Sequence, residues 1–170
     1  MKLIGAILFV LTSSWVGFDL SQQYKKRTQQ IRLLMQSLQM LEAEMGYSQM
    51  PLRQTFSIIS KKTKGPIAVF YERLAVALSE AVDDFILVWD EMVDQLQAES
   101  ALKQTELDIF KQFGRNLGQH TFSEQQKHIV LAIHHLQHEL EEANELRQKY
   151  EKVTKSLGIL IGIFIVLLLI

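Results

Sequence analysis

Apolar residues recur at spacings of three and four along most of this 170-residue chain, a pattern that indicates amphipathic α-helices. Glycine and proline are scarce in the interior, and they stand where an all-helical chain needs breaks. These residues are Gly46, Pro51, Gly65, Pro66, Gly114 and Gly118. The pattern therefore predicts an all-α fold, a helical bundle of about six helices.

The N-terminal half of the pattern predicts a long helix, a short helix and a loop. No breaker separates Gly17 from Gly46, so one helix should run out of the N-terminal apolar residues. Pro51 fits the first turn of a short helix that ends near Ser60, and residues 61–65 form the loop. The inward face of the long helix is predicted to be Ile31, Leu34, Leu38, Leu41 and Met45.

The stretch after this loop keeps helical spacing but contains one predicted break, where Asp83 and Asp84 are N-cap candidates. Ser100 is predicted to cap the next helix, which ends in the segment 114–118. The last helix opens with a capping box that begins at Thr121. No further breaker occurs before the C-terminal apolar residues, so this helix should run directly into them.

The two ends of the chain are predicted to be transmembrane helices, residues 1–20 and 156–170, flanking a cytosolic helical domain, residues 21–155. Both segments are short compared with the roughly 20 residues that a bilayer core of about 30 Å requires. Lysines and arginines follow the first segment and precede the second, so the domain should face the cytosol. A cleaved secretory signal is the alternative for the first segment, because Lys2 precedes its apolar run.

Small residues in these two segments favour close packing of membrane helices. Ser13 and Gly17 are four residues apart in the first segment, and Gly158 and Gly162 are four apart in the second. The spacing is compatible with packing of the two segments against each other and with self-association.

Composition narrows the classes of function. The formal net charge is -1, and no basic face stands out beyond the clusters next to the membrane segments, so no nucleic-acid partner is expected. Those clusters are interpreted as contacts with membrane lipids. The chain has no cysteine, which excludes disulfides and thiolate metal sites. No catalytic constellation is visible, so we predict no enzymatic activity and no cofactor.

All five histidines lie between His120 and His138, and His134 and His138 are one helical turn apart. That spacing can chelate a divalent ion. Both residues lie off the apolar seam of the helix and no third ligand is evident. We therefore predict a solvated or partner-facing flank and no metal site.

Acidic residues are close together in the second half of the 66–99 stretch, around Trp89, which is interpreted as a core anchor. They include Asp83, Asp84, Asp90 and Glu91. A solvated face is the simpler interpretation. The sharper hypothesis is a docking surface for a basic cytosolic partner, which neighbouring carboxylates would steer electrostatically.

Several short motifs, in this order and spacing, resemble the stage III sporulation protein AB family of endospore-forming bacteria. They are the segment 36–47 (QSLQMLEAEMGY) with Pro51-Leu52, then Trp89, Leu117-Gly118 with Gln125, Tyr150, and Leu157-Gly158. The likeness covers the whole chain. The chain departs from the family pattern at Met50, where a serine or threonine would cap better, and at His120-Thr121, where a Ser-Asp pair is expected.

The resemblance implies a non-enzymatic scaffold in the mother-cell half of the channel complex that joins mother cell and forespore, located in the outer forespore membrane. The family is similar to the inner-membrane platform proteins of type II secretion and type IV pilus machines, which implies their six-helix fold. The implied partners are a secretion-type ATPase, whose motion the domain would pass to the membrane assembly, and other stage III sporulation channel components. A helical membrane sensor or signalling relay is the alternative function.

Overall fold

The structure, a computed structural model, has six helices in the part of the chain that it describes. It describes the backbone of residues 2–47, 50–79, 84–117 and 122–169, and the side chains of 22–46, 50–79, 84–117, 123–150, 152–153 and 156. The helices are α1 (Lys2–Tyr47), α2 (Leu52–Lys62), α3 (Gly65–Ala77), α4 (Phe85–Glu99), α5 (Gln104–Asn116) and α6 (Phe122–Leu169). These ranges contain no strand, so the predicted all-α fold is confirmed.

The first and last helices form an antiparallel pair. Tyr24 stacks on Tyr150 with ring centroids 4.4 Å apart, and further along the pair Gln126 Nε2 donates a hydrogen bond to Glu42 Oε1 at 2.8 Å. Residue numbers therefore increase along α1 in the same direction in which they decrease along α6. We refer to the two ends of the bundle as the Tyr24 end and the Glu42 end.

The four shorter helices cover one side of this pair in sequential order, since each packs against the next and α5 returns to α6. Ala101, between α4 and α5, donates its backbone N–H to Gln30 Oε1 of α1 at 2.7 Å. Trp89, one helical turn into α4, packs on Phe113 near the end of α5. Thus α4 runs toward the Tyr24 end and α5 runs back toward the Glu42 end.

A single hydrophobic core joins all six helices. The predicted inward face of α1 is confirmed at four positions, which are fully buried, whereas Met45 is partly buried. The other helices contribute buried side chains to the same core, among them Ile59 of α2, Leu74 of α3, Leu107 of α5 and Leu136 of α6. Burial of these apolar faces, at about 25 cal/mol per Å², is the main source of stability for such a bundle.

Ser100 was expected to cap the fifth helix, and this prediction is wrong. Ser100 is the residue that follows the end of α4, and α5 begins at Gln104 with Lys103 at its N-cap. Residues 100–103 are extended or bent because the chain must reverse direction between two antiparallel helices. Glu106 then accepts a hydrogen bond from the backbone N–H of Lys103 at 2.6 Å, which satisfies a donor that the helix leaves free.

The loop predicted at residues 61–65 contains only residues 63 and 64. Helix α2 continues through Lys62, and the backbone N–H of Thr63 still donates to the Ile59 carbonyl at 2.9 Å. Gly65 has a φ of 64°, a left-handed conformation that glycine adopts without strain. This conformation allows α3 to start immediately, with Pro66 in its first turn.

Among the residues open to description, no helix carries a stretch long and apolar enough to cross a membrane. The side chains of the two predicted membrane segments, 1–20 and 156–170, lie outside those residues, apart from Ser156. The same is true of Ser13, Gly17, Gly158 and Gly162, and the predicted capping residue Thr121 also falls outside the described part of the chain.

Candidate partner and membrane-proximal surfaces

Trp89 is the centre of an aromatic cluster that holds α2, α3, α4 and α5 together. The indole ring is fully buried and its Nε1 donates a hydrogen bond to the Phe110 carbonyl at 3.1 Å. Its ring centroid lies 4.9 Å from that of Phe110, 5.3 Å from Phe70 and 6.2 Å from Phe56. The interpretation of Trp89 as a core anchor is confirmed, so this side chain is not a surface contact for a partner.

Gly114 is a helical residue of α5 beneath the Trp89 ring. A Cβ atom at this position would overlap the Nε1, Cε2 and Cδ1 atoms of the indole. Helix α5 ends at Asn116, within the segment 114–118 where the sequence pattern predicted its end, and Gly114 itself is still helical. The glycine is required because the indole and the α5 backbone approach each other closely.

The acidic residues proposed as a docking surface have different roles in the structure. Asp84 is the N-cap of α4, and its side chain accepts hydrogen bonds from the backbone N–H groups of Ile86 and Leu87. Asp90 is bound by Arg115, and Glu91 is exposed. Asp83 lies outside the described residues. The docking role of the four acids stays a prediction.

Basic residues of α5 lie opposite the acids of α4. The Asp90 carboxylate is 2.7 Å from Arg115 Nη2, and the Asp94 carboxylate is 2.6 Å from Lys111 Nζ. The hydrogen bond and the charge of Asp90 raise the pKa of Arg115 above its ordinary value. Because two of these acids are paired in this way, Glu91 offers the least compensated negative charge among the described members of the proposed surface.

A buried ion pair connects α1, α5 and α6 at the Tyr24 end. The side chains of Arg27 and Glu106 are 3% and 0% exposed, and Arg27 Nε donates to Glu106 Oε1 at 2.7 Å. Arg27 Nη2 reaches a second carboxylate, Glu139 Oε2, at 3.2 Å. Two carboxylates and several hydrogen bonds compensate the guanidinium, which a charge in this position requires.

Sequence analysis did not identify this ion pair. A signal was present, because Glu106 lies four residues before Phe110 and seven before Phe113, on the apolar stripe of its helix. A carboxylate on the apolar stripe is buried and therefore requires a cation as its partner. The stripe does not reveal that the cation comes from a residue 79 positions earlier in the chain.

Tyr24 of α1 and Tyr150 of α6 are in contact at the end of the bundle nearest to the predicted membrane segments. Their rings are stacked with an interplanar angle of 15°. The hydrogen bond with Tyr150 and partial burial raise the pKa of Tyr24 above its ordinary value, so the Tyr24 phenol is neutral at physiological pH. Tyrosine is enriched where a membrane protein meets the headgroup region, because its ring is apolar and its hydroxyl is polar.

A groove of about 890 Å³ lies between α2 and α3. Its lining includes the exposed side chains of Arg53, Lys61 and Glu72, together with Val76, which is 63% exposed. The mixture of both charges and apolar surface makes it a second candidate contact region, independent of the acids on α4.

Three histidines of α6, His134, His135 and His138, lie on its outer side, and His128 is half-buried. His134 and His138 are exposed, and the described residues contain no group of three histidine, cysteine or acidic side chains suited to a metal ion. The arrangement agrees with the interpretation of these histidines as a solvated or partner-facing flank.

Comparisons with known proteins agree with this fold. A family model described as stage III sporulation protein AB matches residues 2–170. The stage III sporulation protein AB of Bacillus subtilis (strain 168) is 36% identical over 169 residues, which are 99% of each chain. A solved structure of a stage III sporulation protein AB superposes with a TM-score of 0.68 and 32% identity, covering 73% of this chain and 98% of that one. The chain therefore belongs to the stage III sporulation protein AB family.

Proposed function

We propose that this protein is a non-enzymatic platform subunit of the mother cell–forespore channel complex needed for endospore formation. Residues 1–20 and 156–170 are its membrane anchors in the outer forespore membrane, and residues 21–155 face the mother-cell cytosol. The bundle couples a secretion-type ATPase to the membrane assembly, in the manner of a type II secretion platform.

The observation that carries this proposal is the antiparallel pairing of α1 and α6. Both helices continue past the Tyr24–Tyr150 contact toward their predicted membrane segments. Tyr24 follows residue 20 by four positions, which is about 6 Å along a helix. Two membrane anchors on the same end of one bundle are what a cytosolic platform requires.

The topology can be tested with reporters fused after Ile170. Alkaline phosphatase is active only after export, so we expect activity from this fusion and none from the same enzyme inserted after Lys64, at the exposed turn between α2 and α3. Activity at Lys64 instead of Ile170 would refute the proposed orientation.

Partner recovery tests the coupling role. The full chain, solubilised from sporulating cells and captured through a tag, should bring down a secretion-type ATPase and other channel components. Recovery of membrane proteins without an ATPase would contradict the coupling role and leave the anchoring role intact.

Glu91 provides the sharpest test of the acidic docking surface. Glu91 is exposed and makes no hydrogen bond or ion pair with any other described residue. Asp84 and Asp90, in contrast, stabilise the fold as the N-cap of α4 and as the partner of Arg115. We expect Glu91→Lys to reduce ATPase recovery several-fold at low salt, because it reverses a charge that steers a basic partner. Glu145→Lys, which changes another exposed glutamate on α6, is the matched control. Equal recovery from both variants would exclude this surface, and the α2–α3 groove would then be the region to test.

A further inference from the structure

A mostly apolar pocket of about 240 Å³ lies between α5 and α6. Helix α5 contributes Ile109 and Phe113 to its lining, and α6 contributes Leu131, which is 51% exposed. An apolar cavity of about 150 Å³ already holds a benzene-sized group. The pocket is therefore large enough for one aliphatic side chain, which would also cover the exposed leucine.

Two histidines follow Leu131 on the same face of α6. His135 and His138 come four and seven residues later, a spacing that keeps the three side chains on one side of a helix, and both are exposed. An imidazole offers one N–H donor when neutral and two when protonated, so each histidine suits a carboxylate. We call Leu131, His135 and His138 the α6 stripe.

Helix α4 carries the complementary pattern on its outward face. Leu87 is 67% exposed, and the exposed acids Glu91 and Asp94 follow it by four and seven residues. Asp94 is bound by Lys111, but its side chain is still 62% exposed. We call Leu87, Glu91 and Asp94 the α4 stripe. It has the same spacing as the α6 stripe, with a leucine first and hydrogen-bond acceptors in place of donors at the other two positions.

The charges around the two stripes are also complementary. Residues 84–94 contain four acids and no basic residue, whereas residues 127–138 contain one lysine, four histidines and no acid. Lys111 and Arg115 of α5 compensate two of the four acids, so Asp84 and Glu91 keep the α4 side negative. The first acid of α6 after its stripe, Glu139, is bound by Arg27. Charge therefore favours contact between unlike stripes over contact of either stripe with its own copy.

The two stripes lie at similar heights along the bundle. Asp94 is 2.6 Å from Lys111, and the neighbouring α5 residues Ile109 and Gln112 line the pocket together with Leu131. Helices α4 and α6 both run toward the Tyr24 end. Two copies anchored in one membrane would therefore present α4 and α6 to each other in parallel, within about one helical turn of register. Because α5 packs between α4 and α6, one copy can use both stripes at once.

We propose that the α4 stripe of one copy docks on the α6 stripe of a second copy of this chain. Leu87 enters the pocket beside Leu131, and the two acids of the α4 stripe accept hydrogen bonds from the two histidines of the α6 stripe. The contact is heterologous, so its repetition gives a ring where the rotation closes. The inference rests on the membrane anchoring in the proposed function, which gives the copies a common orientation and a high effective concentration.

This contact also adds a competition to the proposed function. Glu91 belongs to the α4 stripe and is the residue assigned above to ATPase docking. A neighbouring copy and the ATPase therefore exclude each other on one face of α4.

Cysteine pairs test the contact in the full chain reconstituted into lipid vesicles, because the chain has no cysteine of its own. Leu87→Cys and Leu131→Cys proteins, mixed in the same vesicles, should form a disulfide-linked dimer on oxidation with copper-phenanthroline. Neither variant alone should do so, since a heterologous contact does not bring the same residue of two copies together. No dimer from the mixture, or an equal yield from one variant alone, would overturn the proposal.

Charge exchange distinguishes a direct contact from a structural role. Glu91→Lys in the Leu87→Cys protein, or His135→Glu in the Leu131→Cys protein, should each reduce the dimer yield several-fold. Mixing the two altered proteins should restore the yield, because the facing positions again carry opposite charges. Gln148→Glu, an exposed change on α6 outside the stripe, is the matched control for His135→Glu. Equal losses from these two variants, or no recovery in the exchanged mixture, would refute the pairing.

Partner recovery separates this inference from the proposed function. His135→Glu leaves α4 unchanged and should raise the recovery of the ATPase, because fewer α4 stripes are covered by a neighbouring copy. Equal or lower recovery would overturn the competition. The alkaline phosphatase reporters do not depend on contact between copies, so loss of the cross-link would leave the topology standing, and failure to recover an ATPase would leave the cross-link standing.

Discussion

Trp89 and Gly114 show how two residues set the distance between neighbouring helices. The indole lies against the α5 backbone where Gly114 has no side chain, and its N–H donates to the Phe110 carbonyl on the same helix. The importance of Trp89 could be predicted from its apolar neighbours. The role of Gly114 could not, because a glycine needed for close packing and a glycine that ends a helix have the same appearance in a sequence.

We expect Gly114→Ala to lower the free energy of unfolding by at least about 2 kcal/mol, since a methyl group would be forced into the buried Trp89 ring. Thermal unfolding of the full chain in detergent measures the effect. In a Trp89→Phe background the same substitution should cost less, because the indole nitrogen is gone. Strict additivity of the two changes would contradict the proposed contact.

Tyr71 gives a prediction about alkaline pH. Burial raises the pKa of Tyr71, and the hydrogen bond with Ser37, 3.0 Å away, opposes this shift in part. Below pH 10 both folded and unfolded states hold the phenol proton. Above pH 10 only the unfolded state releases it, so stability falls by about 1.4 kcal/mol per pH unit until the folded-state pKa is reached.

Tyr71→Phe should therefore be less stable than the parent protein at pH 8, by about 1 kcal/mol for the lost hydrogen bond. Ser37 still donates to the Leu34 carbonyl at 2.7 Å, so it is not left unpaired. The two Tm values should converge or cross between pH 10 and 11. Parallel pH profiles for the two proteins would refute the proposed titration.

At the scale of the helices, the number and order of elements followed from apolar spacing, glycine and proline. The helix boundaries were predicted less accurately at residue types that occur both at helix ends and in the adjoining loops. Ser100 was read as an N-cap, but it follows the end of α4. Lys61 and Lys62 belong to the predicted loop before Gly65 and Pro66, yet they form the last turn of α2, where cations interact favourably with the helix dipole.

The register of the α1–α6 pair can be tested by cross-linking, because the chain has no cysteine of its own. A short bifunctional thiol reagent should link Tyr24→Cys with Tyr150→Cys, and Glu42→Cys with Gln126→Cys. The exchanged pair Glu42→Cys/Tyr150→Cys should not react, since its residues are about 27 Å apart along the helices. Gel mobility after proteolysis measures the yield, and equal yields from all pairs would refute this register.

At the scale of the whole molecule, the buried pair of Arg27 and Glu106 connects the first helix to the fifth, and Glu139 brings in the sixth. Apolar spacing identifies which face of each helix is buried. It does not identify which helices contact each other, because Arg27 lies 79 residues from Glu106 and 112 residues from Glu139, and these side chains come together only in the folded protein. For this reason the buried pair of Arg27 and Glu106 was not predicted, whereas the acidic residues of α4, which are close in sequence, were noticed.

We expect Arg27→Met alone to cost about 3–5 kcal/mol, because it leaves the fully buried Glu106 without a cation. Glu106→Met should cost less, since Glu139 still pairs with Arg27. The double variant Arg27→Met/Glu106→Met should recover part of the Arg27→Met loss, since two methionines pack without buried charge and the remaining Glu139, which is 16% exposed, can be solvated. Thermal unfolding of the three variants in detergent is the measurement. A double variant as unstable as the sum of the single variants would contradict the interpretation of the pair.

The pairing of α1 with α6 also determines when the chain can fold during synthesis. About 75 residues separate Tyr47 from Phe122, and a ribosome needs roughly 4–15 s to add them at bacterial speeds of about 5–20 residues per second. During this interval the apolar face of α1 has no α6 to cover it. The bundle can close only when residues 122–150 of the final helix have left the ribosome, so a chain truncated within this range would leave the apolar face of α1 uncovered.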